Sequence, residues 1–371
     1  MVDNDDLQSL VKDCPVANGL FNQHGCHDVM TAFNIANHLH MHSFFKEAAA
    51  FYQEAIQYRN LDPQGHPRVE ILLQVKLLCL IKADIEPSDE DLNYLKELSE
   101  PLFEYITTVK QYRLGNFPVV EALKKIGCTY EDFHTGEEID TIYLNLIYDG
   151  LIQGNFPSRV RKVEIPRKIF FYWDQNMPGD VRENIEYHQR NFQKYFVEVF
   201  DKEKAVEWLY KYYGKEARTI FLNARHPAEA ADILRVHIID LCGGFWVDAD
   251  LKIVSEDILE KYIPRNYDNV LLLTDGYFIH NDFFGATANN MILKDCLLSI
   301  YRNCYEYGGL FISYKTGPGV FMRAVNRTYF RCLEGASKDF PSLKLMDKKM
   351  FDKVTEQYPV GYKQGGTWSA V

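Results

Sequence analysis

The most informative part of the sequence is residues 228–254, which read AEAADILRVHIIDLCGGFWVDADLKIV. From Ala230 to Leu241 apolar side chains cover nearly every face of a helical projection, which predicts a buried helix. Gly243 and Gly244 are placed to end that helix, and the apolar run from Phe245 to Val247 is typical of an interior strand. The stretch therefore predicts a helix–turn–strand unit of an α/β fold.

Two aspartates, Asp248 and Asp250, follow the predicted strand directly. If the strand continues through them, residues two apart project from one face, so both carboxylates can bind one hard cation. Mg²⁺ or Mn²⁺ suits such oxygen ligands, whereas Zn²⁺ or Cu²⁺ would call for Cys or His at ligand spacing. Asp-x-Asp also occurs at residues 3–5 and 89–91, where the acidic, polar surroundings indicate solvated charge. Only the pair behind the buried strand predicts a metal site.

Asp232 and Arg235 lie three residues apart on the predicted helix and therefore share a face. Two interpretations are open for a carboxylate and a guanidinium on a buried helix. They form an ion pair that satisfies both groups, or they bind the hydroxyls and phosphates of a sugar nucleotide, for which the planar guanidinium is well shaped.

Residues 231–250 resemble the sugar-binding Asp-x-Asp region of glycosyltransferase family 32 and, more distantly, the clostridial glucosylating toxins. The resemblance extends from about Val163 to Trp368. It implies a glycosyltransferase-A-type catalytic domain with a Rossmann-like mixed sheet, which transfers a sugar from a nucleotide diphosphate sugar with retention. UDP is favoured as the nucleotide, and GDP is possible.

The resemblance also implies roles for the residues of this region. Asp248 and Asp250 would bind Mn²⁺ or Mg²⁺, and Asp232, Arg235 and Asp250 would be the catalytic residues. Trp173 ends a segment, residues 165–173, that resembles the family's opening strand. It is implied to stack on the base of the donor, and the alternative is a tryptophan of the core or its rim.

Three further segments resemble the family. Residues 278–286 look like the strand under the donor sugar, which makes Asn281 a candidate contact to a sugar hydroxyl. Residues 316–319 match a Thr-Gly-Pro turn before a helix, which either offers backbone N–H groups to a substrate or is purely structural. Thr367 and Trp368 resemble the element that closes over the donor.

One position departs from the family pattern. Many members have a His six residues before the C-terminal Trp, where it can complete the metal site, and this chain has Tyr362 there. A neutral phenol is a poor metal ligand. Another group, water or the diphosphate then fills that coordination position, or metal binds weakly without nucleotide.

Composition agrees with a cytoplasmic enzyme, and we expect no nucleic-acid partner. The formal charge of −11 and the pI near 5.5 argue against nucleic acid or an anionic membrane as main partner. Eight cysteines without a Cys-x-x-Cys pair suggest thiols in a reducing compartment. We expect neither a signal sequence nor a transmembrane segment. The expected partners are a nucleotide sugar and a glycan, lipid-linked or protein acceptor.

The sequence predicts two domains, a helical domain over residues 1–157 and the catalytic domain over 158–371. The helical domain contains a tetratricopeptide-like helix pair, with its characteristic positions at Ala36, Leu39, Phe45, Ala48, Tyr52 and Ala55. In the catalytic domain, strands are predicted at Lys168–Trp173, Val197–Phe200, Phe245–Val247 and Val270–Thr274, alternating with helices near Val181–Lys194, Lys202–Tyr212, Ala228–Leu241 and Asn290–Tyr305. A second hypothesis is an interaction scaffold whose transferase domain is degenerate.

Overall fold

The computed structural model describes residues 12–61, 64–129, 138–157, 164–274, 278–336 and 339–361. Contacts divide the chain into two compact units, Met1–Thr129 and Tyr130–Val371. The helix over residues 138–152 therefore belongs to the second unit, whereas the sequence places the domain boundary after residue 157. The assignment of domains stays a prediction.

The described part of the first unit consists of helices joined by turns and loops. Within it, Asp28 caps a helix by accepting a hydrogen bond from the Thr31 backbone N–H at 2.7 Å, and the Thr31 hydroxyl bonds back to the Asp28 N–H at 3.1 Å. The helices are α1 (Pro15–His24), α2 (Val29–Met41), α3 (Phe45–Leu61), α4 (Val69–Lys82), α5 (Asp89–Leu98), α6 (Glu100–Arg113) and α7 (Val119–Thr129).

Helices α2 and α3 form the pair at which the tetratricopeptide-like positions were predicted. Five of those six side chains are buried, and Phe45 is half-buried. The Tyr52 hydroxyl donates a hydrogen bond to Asn37 Oδ1 at 2.6 Å, which ties α3 to α2. The structure contains the two helices, and the tetratricopeptide-like interpretation stays a prediction.

The second unit contains a mixed sheet of six strands in the order β2-β1-β3-β6-β5-β7. Strands β1, β2, β3, β5 and β7 run parallel to one another, and β6 runs antiparallel to its neighbours β3 and β5. A second sheet pairs β4 with β8. The strands are β1 (Lys168–Tyr172), β2 (Phe196–Phe200), β3 (Gly244–Val247), β4 (Leu251–Ile253), β5 (Asn269–Leu273), β6 (Ile279–Ala286), β7 (Leu343–Met346) and β8 (Thr355–Gln357).

Helices cover both faces of the six-stranded sheet, which gives the α/β architecture predicted from the sequence. The helices described in this unit are α8 (Glu138–Ile152), α9 (Gly179–Asn191), α10 (Lys202–Leu222), α11 (Pro227–Cys242), α12 (Glu256–Tyr262), α13 (Met291–Glu306), α14 (Ile312–Lys315), α15 (Pro318–Leu333) and α16 (Lys348–Val354). Among the residues that the structure describes, no helix has both the length and the apolar character needed to cross a membrane.

Alternation along the strands sends side chains to the two helical layers. Phe171, Phe245 and Phe283 belong to one apolar cluster, which also contains residues of α9, α12 and α16. Towards the other layer, Trp246 lies under the Arg235 guanidinium of α11 and Phe284 contacts Phe321 of α15. Strands β1, β3 and β5 are almost entirely apolar because both of their faces are buried.

Glycine is required where α11 turns into β3. Gly243 ends α11 with φ 60°, and Gly244 has φ 122°, a conformation that other residues rarely adopt. A Cβ atom on Gly244 would lie 2.8 Å from the Lys168 carbonyl oxygen of β1. The two glycines therefore let β3 pair closely with β1 immediately after the helix.

Candidate active site

Polar side chains gather at one edge of the six-stranded sheet. Strands β1 and β3 are parallel, so their carboxyl ends meet there, and antiparallel β6 begins at the same edge. Trp173 follows β1, Asp248 follows β3, and Asn281 lies near the start of β6. This edge is where open α/β sheets bind their ligands.

The two aspartates of the Asp-x-Asp pattern lie in a turn and not on a continuous strand, so the expected alternation does not apply to them. Strand β3 ends at Val247, and the Leu251 N–H bonds to the Asp248 carbonyl oxygen at 2.9 Å. The chain turns here to enter β4, which pairs with the distant β8. Asp250 nevertheless lies close enough to Asp248 to raise the pKa of the Asp248 carboxyl.

Arg235 lies between two carboxylates. Its Nη2 atom is 3.3 Å from Asp232 Oδ1 and 3.0 Å from Asp248 Oδ1, and only 3% of its side chain is exposed. Its Nη1 atom donates to the Asn281 carbonyl oxygen. The ion pair between Asp232 and Arg235 is thus present, and the same guanidinium extends the network to the Asp-x-Asp turn. A role in binding a ligand stays a prediction.

The Asp232 carboxylate is enclosed by donors from three elements. Asn281 Nδ2 donates to one oxygen at 2.8 Å and the Thr316 hydroxyl donates to the other at 3.1 Å, while Arg235 supplies the charge. Burial raises the pKa of Asp232, and these three partners only partly offset it. The structure therefore brings together Asp232, Arg235 and Asn281, which were predicted separately.

Burial is also the largest cause that raises the pKa of Asp248, to about 7, even though 29% of its side chain is exposed. Repulsion by Asp250 and Asp282 adds to this effect, whereas Arg235 and a 2.7 Å hydrogen bond from Trp246 Nε1 oppose it. Burial together with these two carboxylates thus outweighs the positive charge that Arg235 provides.

Asp282 and His280 are part of this edge, although the sequence did not single them out. The Asp248 N–H donates to the Asp282 carbonyl oxygen at 2.8 Å, and His280 Nδ1 lies 3.2 Å from Asp282 Oδ1. The His280 ring stacks on Phe351 of α16 at 4.3 Å. The one available signal was the polar triplet at residues 280–282 before an apolar run.

Trp173 lies where the sequence placed it, directly after β1. Its backbone N–H bonds to the Phe200 carbonyl oxygen and its Nε1 to the Gln175 carbonyl oxygen, both at 2.9 Å. The side chain is half-buried and packs against the apolar cluster that contains Phe171. This position suits a rim tryptophan and a base-stacking one equally, so both interpretations stay open.

Asp248 and Asp250 fit a divalent cation in residue type and in charge. The Tyr358 N–H bonds to the Asp250 carbonyl oxygen at 2.8 Å, which fixes the turn. Within the described ranges, no group of three or more His, Cys, Asp or Glu side chains is arranged to hold a metal ion. Tyr362, Thr367 and Trp368 lie outside those ranges. That Tyr362 does not supply a third metal ligand therefore stays a prediction.

The polar edge and the mixed sheet define an α/β protein with a candidate ligand site at the carboxyl ends of its strands. Residues 135–283, less than half of the chain, match the family described as "Capsular polysaccharide synthesis protein". A solved structure titled "PaToxG Glycosyltransferase" aligns with a TM-score of 0.38 and 17% identity, over 53% of this chain and 82% of that chain. No curated protein matches the sequence.

Proposed function

We propose that the protein is a metal-dependent glycosyltransferase that moves a sugar from a nucleotide diphosphate sugar, with UDP favoured over GDP, to a glycan, lipid-linked or protein acceptor. The observation that supports this most is the excess of carboxylates around Arg235 at the ligand-binding edge of the sheet. The family that matches residues 135–283 is described as a capsular polysaccharide synthesis protein, and the synthesis of a polysaccharide requires the transfer of sugars.

Asp248 and Asp250 would hold Mn²⁺ or Mg²⁺. When bound, the cation supplies positive charge that neutralises the departing diphosphate. It would also compensate the repulsion by Asp250 and Asp282 that contributes to the raised pKa of Asp248. A diphosphate that shares the cation would supply further oxygen ligands.

The other residues of the site would bind and orient the donor. Asp232 and Asn281 would hydrogen-bond sugar hydroxyls, and Arg235 would bind a hydroxyl or phosphate oxygen in place of one of its carboxylate partners. Their hydrogen bonds already fix these side chains, so little ordering is needed when the donor binds. Trp173 would stack on the base. Thr367 and Trp368 would close over the donor and exclude water.

The alternative is a helical interaction scaffold with a degenerate transferase domain. One feature of the sequence favours it: Tyr362 stands where many members of glycosyltransferase family 32 have a His that can complete the metal site. Turnover distinguishes the two functions, because a scaffold would release no nucleotide from any donor.

We expect the full-length protein with Mn²⁺ to release nucleotide slowly from a UDP-sugar or GDP-sugar in the absence of acceptor. Replacing both Asp248 and Asp250 by Asn should lower that rate at least about 100-fold, because the leaving group loses its charge stabilisation. The measurement is nucleotide released from a panel of nucleotide sugars.

A matched control replaces Glu203 and Glu207 by Gln, since both are exposed carboxylates on α10. This control should leave the rate unchanged, and EDTA should abolish turnover by the wild-type protein. Equal turnover by the Asp248→Asn, Asp250→Asn variant and the wild type would remove the assignment.

A further inference from the structure

A buried ion pair lies beside the candidate site and has no part in the proposed chemistry. Lys315 Nζ, at the end of α14, donates to Glu229 Oε1 in the first turn of α11 at 2.5 Å. Only 7% of the Lys315 side chain and 1% of the Glu229 side chain are exposed. Two charges are costly to bury, so a pair of this kind is weak evidence for stability and can instead fix one arrangement of the chain.

Further hydrogen bonds hold the Glu229 side chain and the backbone at residues 314 and 315. Arg225 donates to Glu229 Oε2 through its backbone N–H at 3.0 Å and through Nε at 3.3 Å. Asn303 Nδ2 donates to the Lys315 carbonyl oxygen at 2.9 Å, and Arg323 Nη2 donates to the Tyr314 carbonyl oxygen at 2.6 Å. The backbone that leads into residue 316 is therefore anchored to α11, α13 and α15.

The residues that follow Lys315 contact Asp232 directly. The buried Thr316 hydroxyl donates to Asp232 Oδ2, and a Cβ atom on Gly317 would lie 3.2 Å from that oxygen. Glu229 and Asp232 are three residues apart on α11, so the ion pair and the Thr316 contact join the same two elements one helical turn apart. A shift of Lys315 would carry Thr316 with it.

We propose that the Glu229–Lys315 ion pair positions Thr316, whose hydroxyl in turn holds the Asp232 carboxylate towards the donor sugar, so that the pair governs recognition of the sugar and not of the nucleotide. The inference rests on the proposed function, in which Asp232 binds the sugar. Glu229, Lys315 and Thr316 are positioning residues, because they act through Asp232.

The test compares the affinities of UDP and UDP-sugars for the full-length protein with Mn²⁺, measured by isothermal titration calorimetry. The probes are UDP, UDP-glucose, UDP-galactose and UDP-N-acetylglucosamine. The variant Glu229→Gln, Lys315→Met removes both charges together, because removing one would leave the other buried without its partner. Thr316→Val removes the hydroxyl, and Thr316→Ser keeps it.

We expect the double variant and Thr316→Val to bind the preferred UDP-sugar about tenfold more weakly and UDP with unchanged affinity, because a hydrogen bond to a charged group is lost only from the sugar-binding part of the site. Thr316→Ser should restore the wild-type ratio. If the ion pair had only a structural role, the double variant would instead bind UDP and the UDP-sugar more weakly by the same factor.

Variants that bind UDP and the UDP-sugar in the wild-type ratio would overturn this inference and leave the proposed function intact. A wild-type protein that binds none of the four probes would remove the assignment of a uridine donor and this inference with it. Thermal unfolding of each variant shows whether a loss of affinity reflects loss of the fold.

Discussion

Asp248 shows how one residue can be placed for binding at the expense of stability. Burial and the neighbouring carboxylates raise the pKa of Asp248 to about 7, whereas the ordinary value for an aspartate is 3.8. At neutral pH the protein must therefore lose a proton that it binds more tightly when folded than when unfolded. The favourable partner contacts from Arg235 and Trp246 do not remove this cost.

The raised pKa gives a stability prediction for Asp248→Asn in EDTA. The folded state binds the proton more tightly, so the contribution of Asp248 to stability is fully present below pH 3.8 and is lost as the pH rises to about 7. The Tm of the variant minus that of the wild type should therefore rise between pH 4 and pH 8. The rise is about 2–4 °C for each 1 kcal/mol of unfolding free energy that the wild type loses over this range. A difference in Tm that stays constant over this range would contradict the raised pKa.

Trp173 tests whether the end of β1 binds the base. Trp173→Ala should weaken UDP binding by about 1–3 kcal/mol, because stacking on the base is lost, whereas Trp173→Phe should retain most of the affinity. Equilibrium binding of UDP, with circular dichroism as a check on folding, measures both effects. If Trp173 only packs at the rim of the core, both variants should bind UDP with wild-type affinity.

At the scale of elements, the glycines between α11 and β3 set how close the Asp-x-Asp turn comes to β1. Gly244→Ala should lower the free energy of unfolding by about 1–3 kcal/mol, because the new Cβ would meet the Lys168 carbonyl oxygen and φ 122° is strained for alanine. Gly179→Ala is a matched control, since nothing lies within 4 Å of its Cβ position at the start of α9. Denaturant unfolding that is equal for the two variants would contradict this role.

The elements that the sequence predicts well are those whose signals are local. The predicted strands ending at Trp173, Phe200, Val247 and Thr274 differ from β1, β2, β3 and β5 by only one residue at the ends. The turn at Asp248 was not predicted, because only pairing of Leu251–Ile253 with Thr355–Gln357, about a hundred residues away, redirects the chain there. Helix α10 continues past the predicted Tyr212 across a kink at Gly214.

At the scale of the whole molecule, the site could be predicted only in part. The resemblance selected Asp232, Arg235 and Asn281, and the structure joins them in one hydrogen-bond network. The Glu229–Lys315 pair could not be predicted, because its members are 86 residues apart and nothing local in the sequence links them. Such contacts follow from topology, which fixes which helix lies over which strand end.

The two compact units predict which fragment of the chain folds. Residues 130–371 include α8, which packs on α15, and Asn326 Nδ2 of α15 donates to the Asp140 carbonyl oxygen of α8 at 2.9 Å. Tyr143 and Ile147 of α8 are buried. Residues 158–371, the domain predicted from the sequence, lack this helix. Removing it would expose the part of α15 on which it packs, and each large apolar side chain that becomes exposed would cost about 1.5–3 kcal/mol.

We therefore expect fragment 130–371 to unfold cooperatively and to bind UDP as the full-length protein does, because every described residue of the candidate site lies in the second unit. Fragment 158–371 should unfold at least about 10 °C lower or aggregate. Thermal unfolding and UDP titration of both fragments measure this. A fragment 158–371 that is as stable as 130–371 would instead support the boundary after residue 157 and make α8 dispensable to the catalytic domain.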